Sequence, residues 1–369
     1  MGDFAHRAPA RAKIFCAAAT AVLALVCLTT AGASAAVRGN QYGVISSMNG
    51  FSLSEASPAE WGPQLAAMQQ NGVQEVRSDA AWGVIEPNAP AAGGPTFQFA
   101  STDAWVTALA LNHITWEPIL DYNNTWAVAA WDKADFATFA QAVAARYGAG
   151  GSFWAQNPQL PYVPAQIFEV WNEEGGPPTY ISPQNYGPLY VAVHSAIHAV
   201  DPSASVDLGG LADDGGVYNQ SNDYPSWYLV GLFGAYPQLE QTIDGYALHP
   251  YGATATDSAE WVVDFRHTLS HYHVSTSVPI DLTEFGWPYT QARESWRAAQ
   301  MNALGAAFSR SNCGIREAAP YDWINPSAPS GSDFGFVDSG GTSTALRPAG
   351  TAWYNAFAQY SQQPTFVIC

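Results

Sequence analysis

The sequence predicts a (β/α)8 barrel, or TIM barrel, formed by one domain. Three observations indicate this α/β fold: short β-rich apolar runs alternate with helix-like segments, the runs number eight, and 334 residues remain after a leader of 35. Such alternation is typical of a parallel sheet with crossover helices, and eight units usually take about 250 residues or more. The alternative, a doubly wound open sheet, often carries a glycine-rich phosphate turn after its first strand, which is missing here.

Each element rests on a local pattern. Runs rich in β-branched and aromatic residues predict strands at 42–46, 73–77, 114–120, 167–171, 205–208, 243–248, 280–283 and 317–323. Capping residues or helical spacing of apolar residues predict helices at 58–70, 102–111, 133–147, 183–200, 226–232, 258–271, 291–309 and 348–360. No linker, low-complexity block or repeat interrupts residues 36–369, so we expect one barrel domain there.

Residues 1–35 are predicted to be a secretory signal peptide. Arg7, Arg11 and Lys13 precede an apolar run over 14–31, and Ala33-Ser34-Ala35 provides a small-residue cleavage site. The alternative is an uncleaved membrane anchor, since about 18 apolar residues are at the lower limit of a spanning helix. The cleavage site favours a secreted protein with no membrane attachment after processing.

The charge of the expected mature chain excludes two classes of partner. Without the leader, 10 basic and 30 acidic residues remain, a formal charge of −20. Such a chain is repelled by nucleic acid and by anionic membrane surfaces. A neutral partner fits better, and the 14 Trp and 18 Tyr residues suit stacking on sugar rings, although they also suit a core. We expect the protein to act as a monomer.

Two cysteines remain once Cys16 and Cys27 leave with the leader. Cys313 and Cys369 of an exported protein are expected to form one disulfide, with two free thiols as the alternative. No cysteine spacing is typical of a metal site.

In a barrel of this class, the active site lies at the C-terminal ends of the strands. Polar and aromatic residues found there are Arg77, Asp79, Asp121, Tyr122, Asn123, Asn172, Glu173, Glu174, His249, Tyr251, Glu284, Trp323 and Asn325. Loops at 82–100, 126–131 and 213–227 are expected to shape the binding site around them.

Glu173 and Glu284 follow strands 4 and 7, so they are expected to face one another across the barrel mouth. Two facing carboxyls are the equipment for glycoside hydrolysis, in which one donates a proton and the other attacks the sugar or activates water.

Three motifs carry a resemblance to a known group of enzymes. EVWNEE, DGYALHPYG and LTEFGW resemble the strand 4, 6 and 7 motifs of the clan A glycoside hydrolases, which include cellulase-like and β-xylosidase-like retaining barrels. The likeness extends over most of 36–369, since DFGFVDSGGTSTALRPAGTAWYNAF resembles the segment after their eighth strand. It implies a retaining O-glycoside hydrolase that cleaves β-linked sugars without metal or organic cofactor.

The resemblance also assigns roles. It implies that Glu173 is the acid/base, Glu284 the nucleophile, and Asn172 the donor to the hydroxyl beside the anomeric carbon. We expect Arg77 to hold Glu284 ionised, and the charge of Glu284 to keep Glu173 protonated.

Other residues would bind or orient the substrate. Tyr251 or His249 would orient the nucleophile, Trp323 would be a platform for the cleaved ring, and Asn123 would contact substrate. Asn123 also begins a glycosylation sequon. Structural alternatives exist for Arg77, which could form a surface ion pair with Asp79 or Glu75, and for His249 and Trp323, which could be core residues.

One departure from the family and two rival functions remain. Glu174 stands where relatives commonly have proline, so it could perturb Glu173, point to solvent, or itself be the acid. His271 and His273 suggest a metal-dependent hydrolase, but they precede strand 7 and lack a convergent histidine set. The non-enzymatic alternative is a carbohydrate-binding barrel without catalytic activity.

Overall fold

A computed structural model describes residues 44–122, 124–127, 133–176, 178–212, 224–325, 332–338, 343–360 and 369. The proposed signal peptide and Asn123 lie outside these residues. Both therefore stay predictions.

Eight parallel strands close into a barrel in sequence order, which confirms the predicted fold class. The strands are β1 (Ile45–Asn49), β2 (Glu75–Ala81), β3 (Thr115–Asp121), β4 (Ile167–Asn172), β5 (Ser205–Ala212), β6 (Gly245–His249), β7 (Ile280–Leu282) and β8 (Ile315–Ala318). The β1 strand pairs with both β2 and β8, so the sheet has no free edge.

Helices connect the strands on the outside of the barrel. They are α1 (Phe51–Ser54), α2 (Pro58–Gln70), α3 (Trp82–Ile85), α4 (Ala100–Leu111), α5 (Lys133–Tyr147), α6 (Ser152–Gln156), α7 (Pro183–His198), α8 (Tyr224–Ala235), α9 (Ala255–His271), α10 (Glu294–Phe308) and α11 (Pro348–Tyr360). None of the helices in the described ranges is long and apolar enough to cross a membrane.

The core lies between the sheet and the helices. On α5, Phe136, Phe139, Val143 and Tyr147 are buried at helical spacing, so they share one side of the helix. The ring of Tyr147 lies 5.3 Å from that of Trp116, on the outer face of β3. Burying one large apolar side chain contributes about 1.5–3 kcal/mol, so this aromatic layer holds α5 against the sheet.

The inside of the barrel, by contrast, is lined with charged side chains. Because strand residues alternate between faces, Glu75 and Arg77 point inward from β2, whereas Ser78 points outward and accepts a hydrogen bond from Trp116. Further buried interior carboxyl groups belong to Glu117, Glu169, Asp207, Asp281 and Glu317. Buried charges require partners or protons, and this requirement determines the electrostatics of the site.

Several strand bounds differ from the sequence prediction: β2 and β5 continue to Ala81 and Ala212 rather than to residues 77 and 208, and β1 and β8 are shifted as well. The β1 strand continues to Asn49 rather than ending at residue 46, because Ser47 and Asn49 face a polar interior and are buried without an apolar pattern. The β8 strand ends at Ala318 rather than residue 323, because the chain continues as an irregular buried segment.

The predicted disulfide joins Cys313 to Cys369, whose Cα atoms are 5.2 Å apart. Asn312 accepts a hydrogen bond from the amide of Cys369 and donates one to its carbonyl. The C-terminus is thus attached next to the start of β8.

Candidate active site

Glu284 lies two residues after β7, with both carboxylate oxygens hydrogen-bonded. Arg77 Nη1 donates to Oε1 at 2.8 Å, and the Tyr251 hydroxyl donates to Oε2 at 2.9 Å. The pKa of Tyr251 is raised by burial and by the charge of Glu284, so the phenol stays protonated and remains a donor. These two contacts fix the plane of the carboxylate.

Arg77 is completely buried and connects three strands. Its Nε and Nη2 donate to the two oxygens of Glu169 at 2.5 and 2.9 Å, and Nη2 also donates to Asn172 Oδ1 at 2.9 Å. Burial lowers the pKa of Arg77, but the charges of Glu169 and Glu284 outweigh this effect and raise it above its ordinary value. The alternative of a surface ion pair with Asp79 or Glu75 is therefore wrong.

The same contact orients Asn172. Since Oδ1 accepts from Arg77, the amide nitrogen is directed away from the guanidinium, and it lies 3.4 Å from the Tyr122 hydroxyl. An N–H donor is thus available at the barrel mouth, as donation to a sugar hydroxyl requires.

Glu173 follows β4 with φ of 54°, a left-handed conformation that non-glycine residues seldom adopt. Its side chain is 36% exposed, and Oε1 lies 3.0 Å from Nδ1 of the buried His249. Nε2 of the same imidazole lies 3.8 Å from Glu284 Oε1. His249 thus lies beside both carboxylates, and one oxygen of Glu173 is within 4.8 Å of one of Glu284.

In the substrate-free site, the pKa of Glu173 is lowered, whereas the sequence analysis expected a protonated carboxyl group. Burial raises the pKa of Glu173, but the hydrogen bond and charge of His249, together with the charge of Arg77, outweigh this effect and hold it below its ordinary value. The sequence prediction of a protonated Glu173 considered Glu284 alone. It was wrong for the resting site because it did not include the imidazole.

Glu174 points away from the barrel mouth. Its side chain is completely buried, and a Cβ atom added to Gly209 would come within 2.7 Å of its Oε2. Burial raises the pKa of Glu174 well above its usual range and so favours the neutral form of the carboxyl group. It neither points to solvent nor faces Glu284, which removes it as an alternative acid.

Trp323 does not form the predicted platform. The indole is fully buried, and Nε1 donates to Gln64 of α2 at 2.7 Å, so the ring is part of the outer core. Tyr321, two residues earlier, is half-buried, and its pKa is raised by burial and then by the charges of Asp322 and Glu284. The aromatic residue on the active-site side of this segment is therefore Tyr321.

Sequence reasoning missed Glu169 and Tyr321. A signal for Glu169 exists, since a lone glutamate within the apolar run IFEVW requires a buried partner, and Arg77 is a cation available at this depth. No comparable signal separates Tyr321 from Trp323, because both lie in one apolar run.

Potential metal ligands converge in the site, but the guanidinium of Arg77 already provides a positive charge there. Glu173, His249 and Glu284 offer atoms within 4.8 Å of one another, and Arg77 is 2.8 Å from Glu284. Its positive charge opposes a second cation at the same carboxylate. Among the described residues, neither His271 nor His273 belongs to a converging ligand set.

Comparison with known proteins shows the same barrel in solved structures of low sequence identity. No protein-family model matches the sequence, and no curated protein matches it. Among solved structures, a family 39 glycoside hydrolase from the gut symbiont Bacteroides cellulosilyticus aligns with a TM-score of 0.63 at 17% identity over 86% of this chain and 64% of its own. The chain shares its fold with glycoside hydrolases.

Two further structures illustrate the range of that likeness. A monomeric β-xylosidase from Caulobacter crescentus gives a TM-score of 0.61 at 14% identity over 86% of this chain and 69% of its own. The endo-1,4-β-mannanase from Rhizomucor miehei gives 0.59 at 15% identity over 86% and 95%. This chain thus spans less than two thirds of the family 39 enzyme, and nearly all of the mannanase.

Proposed function

We propose that the protein is a secreted, retaining O-glycoside hydrolase in which Glu284 is the nucleophile and Glu173 the acid/base. The observation that carries the proposal is that one carboxylate oxygen of Glu173 lies within 4.8 Å of one carboxylate oxygen of Glu284. Retaining glycosidases hold their carboxyl groups about 5–5.5 Å apart, whereas inverting enzymes need about 6.5–9.5 Å to admit a water.

In the first step, Glu284 attacks the anomeric carbon while Glu173 donates a proton to the departing oxygen. Arg77 and Tyr251 orient the attacking carboxylate, and Asn172 donates to the hydroxyl beside the reacting carbon. A bound sugar covers the exposed third of the Glu173 side chain, and this loss of water raises the pKa of Glu173 toward the protonated form that the step requires.

In the second step, water replaces the departed sugar. Glu173, now ionised, accepts a proton from that water as the oxygen attacks the anomeric carbon, and the glycosyl ester bond to Glu284 breaks. The lowered pKa of Glu173 suits the ionised state between the two steps. Two carboxyl groups accomplish the whole reaction, so we propose that no metal or organic cofactor takes part.

The proposed substrates are β-linked neutral sugars. A xylosidase and a mannanase share the fold, and the expected charge of −20 opposes acidic polymers. Action outside the cell, as a monomer, is part of the proposal. The disulfide is consistent with an oxidising compartment.

The test is hydrolysis of aryl β-xylosides, β-mannosides and β-glucosides, and of the matching glycans, by the protein and two variants. We expect Glu284→Gln to lower kcat/KM about 10⁴-fold or more on every substrate. Glu173→Gln should lose about 10²–10⁴-fold on glycans, but less on aryl glycosides whose leaving group needs little protonation. Glu174→Gln, which replaces a buried carboxyl group outside the proposed chemistry by an isostere, is the matched control and should stay active.

Three results would contradict all or part of the proposal. The first is an initial product of inverted anomeric configuration, observed by NMR during turnover. The second is binding of a glycan with no turnover at any pH, which would make the protein a carbohydrate-binding barrel without catalytic activity. Full activity of Glu173→Gln on glycans would remove Glu173 as the acid.

A further inference from the structure

A second cluster of ionisable side chains lies at the opposite end of the barrel from the proposed active site. His194 and His198 are one turn apart near the C-terminal end of α7, and Asp244 immediately precedes β6. Since α7 runs antiparallel to the strands, its end lies near their N-terminal ends. Asp244 lies there too, whereas Glu173 and Glu284 follow the C-terminal ends.

The three side chains converge on one point. Oδ2 of Asp244 lies 3.3 Å from Nε2 of His194 and 3.1 Å from Nε2 of His198. The imidazole centroids are 4.1 Å apart, and the three ligand atoms all lie within 4.8 Å of one another. Nε2 of His194 is buried and, although Asp244 Oδ2 lies 3.3 Å away, it has no partner with hydrogen-bond geometry within the described part of the chain, an unusual state for a polar atom.

The surrounding residues hold this arrangement in place. The backbone amide of Val206 donates to Asp244 Oδ2 at 3.0 Å, and the Tyr190 hydroxyl donates to the Val206 carbonyl at 2.6 Å. The Tyr190 ring also lies against His194, with centroids 5.8 Å apart. The carboxylate and one imidazole are thus positioned by strand β5 and by the preceding turn of α7.

We propose that His194, His198 and Asp244 bind a zinc-class divalent cation. Ligand atoms at about 2.0–2.1 Å from a tetrahedral zinc ion are separated by about 3.3–3.4 Å, close to the two nitrogen-to-oxygen distances seen here. Two imidazole nitrogens and one carboxylate favour zinc over calcium or magnesium, which take oxygen ligands. Three protein ligands leave a fourth position for water.

Binding would exchange one interaction for another. Nε2 of His198 also lies 3.1 Å from the Ala204 carbonyl, which can accept its proton in the metal-free protein. A metal takes the nitrogen lone pair in place of that hydrogen bond and releases or relocates the proton. The ion would tie α7 to the chain entering β6, so its effect is on stability and is independent of the function proposed for the other end.

The test is isothermal titration of the untagged, chelator-treated protein with Zn²⁺. We expect one ion per chain, a rise of several degrees in Tm with excess Zn²⁺, and at least about a tenfold loss of affinity in His194→Gln and in Asp244→Asn. Asp244→Asn keeps the acceptor for Val206, so a folded variant is available even if a histidine variant unfolds. His271→Gln on α9 is the matched control and should bind as the parent does.

Replacement of Zn²⁺ by Co²⁺ gives an independent readout. Tetrahedral Co²⁺ absorbs visible light far more strongly than octahedral Co²⁺, and we expect the strong band in the parent and its loss in both site variants. Absence of saturable Zn²⁺ binding, unchanged affinity in both variants, or an octahedral Co²⁺ spectrum would overturn the assignment. None of these readouts depends on glycoside hydrolysis.

Discussion

Arg77 is the residue on which the geometry of the candidate site depends. Its guanidinium bonds to Glu169, Asn172 and Glu284 while completely buried. Removing one partner of a buried ion pair typically costs about 3–5 kcal/mol, because the other charge is left uncompensated. Substitutions of Arg77 therefore affect folding and chemistry together. The role of Glu284 is better tested by a substitution at its second hydrogen-bond partner.

That contact is the hydroxyl of Tyr251. Tyr251→Phe removes one hydrogen bond to Glu284 Oε2 and keeps the ring. Hydrogen bonds to charged groups contribute about 1.5–3 kcal/mol, so we expect kcat/KM for aryl β-glycosides to fall about 10- to 100-fold. Steady-state kinetics measures the loss, which should appear mainly in formation of the covalent intermediate.

Tyr246→Phe on strand β6 is the matched control, because its buried hydroxyl has no hydrogen-bond partner among the described residues. It should leave kcat/KM unchanged. Equal rates for Tyr251→Phe and the parent would show that Glu284 is oriented by Arg77 alone.

The residues of the site were predicted unequally well. Arg77, Asn172, His249, Tyr251 and both glutamates converge as expected, since strand ends of a closed barrel must meet at one rim. The pairing of His249 with Glu173 was not predictable, because the 3.0 Å contact depends on the left-handed turn at Glu173. Backbone conformations of this kind have no signal in residue spacing.

At the scale of elements, helix α9 shows how a local signal fixes a boundary. The helix begins at Ala255 rather than at the predicted residue 258, because the Thr254 side chain accepts from the Asp257 amide and Asp257 accepts from the Thr254 amide. This reciprocal capping box satisfies two amides that helix formation leaves unpaired.

Thr254→Ala should therefore destabilise the protein by about 1 kcal/mol, through loss of the cap at the start of α9. Urea denaturation gives the difference in the free energy of unfolding. Thr268→Ala in the same helix is the control, since its hydroxyl donates to the Asp264 carbonyl one turn earlier and alanine is the better helix former. A loss no larger for Thr254→Ala than for Thr268→Ala would rule out a stabilising cap.

Most element positions followed from alternating composition, whereas the strand ends did not. Helices α2, α5 and α11 match the prediction at both ends, because a proline or polar residue marks each start. The shifted strands β1 and β8 adjoin polar or irregular buried segments. In both strands, residues near the strand end are buried although they are polar or irregular. The pattern of apolar residues therefore cannot show where strand pairing ends.

At the scale of the whole molecule, the barrel interior combines two opposite electrostatic regimes. Toward the mouth, Arg77 compensates Glu169 and Glu284. At the other end, Glu75, Glu117 and Glu317 converge within 4.8 Å, fully buried. Burial, together with the charges of neighbouring carboxylates, raises the pKa of Glu117 and of Glu317 well above the ordinary range. Proton binding at this end of the barrel therefore favours the folded state.

The consequence is a stability that falls as pH rises. Burial raises the pKa of Glu75 from 4.5 to about 7, so the folded state binds a proton that the unfolded chain releases above about pH 4.5. The stabilisation is fully present below about pH 4.5 and is lost as pH rises through about 7. For Glu75 alone, it amounts to about 3 kcal/mol.

Urea denaturation at several pH values between about 5 and 8 measures this dependence. Carboxylates with lowered pKa, such as Glu173 and Asp244, act in the opposite direction, but their contribution is lost only below about pH 4.5 and does not affect this window. Glu75→Gln keeps the shape of the side chain without a titrating proton, so its free energy of unfolding should fall less steeply with pH than that of the parent. A free energy of unfolding that stays level or rises over this interval would show that Glu75, Glu117 and Glu317 are charged in the folded protein.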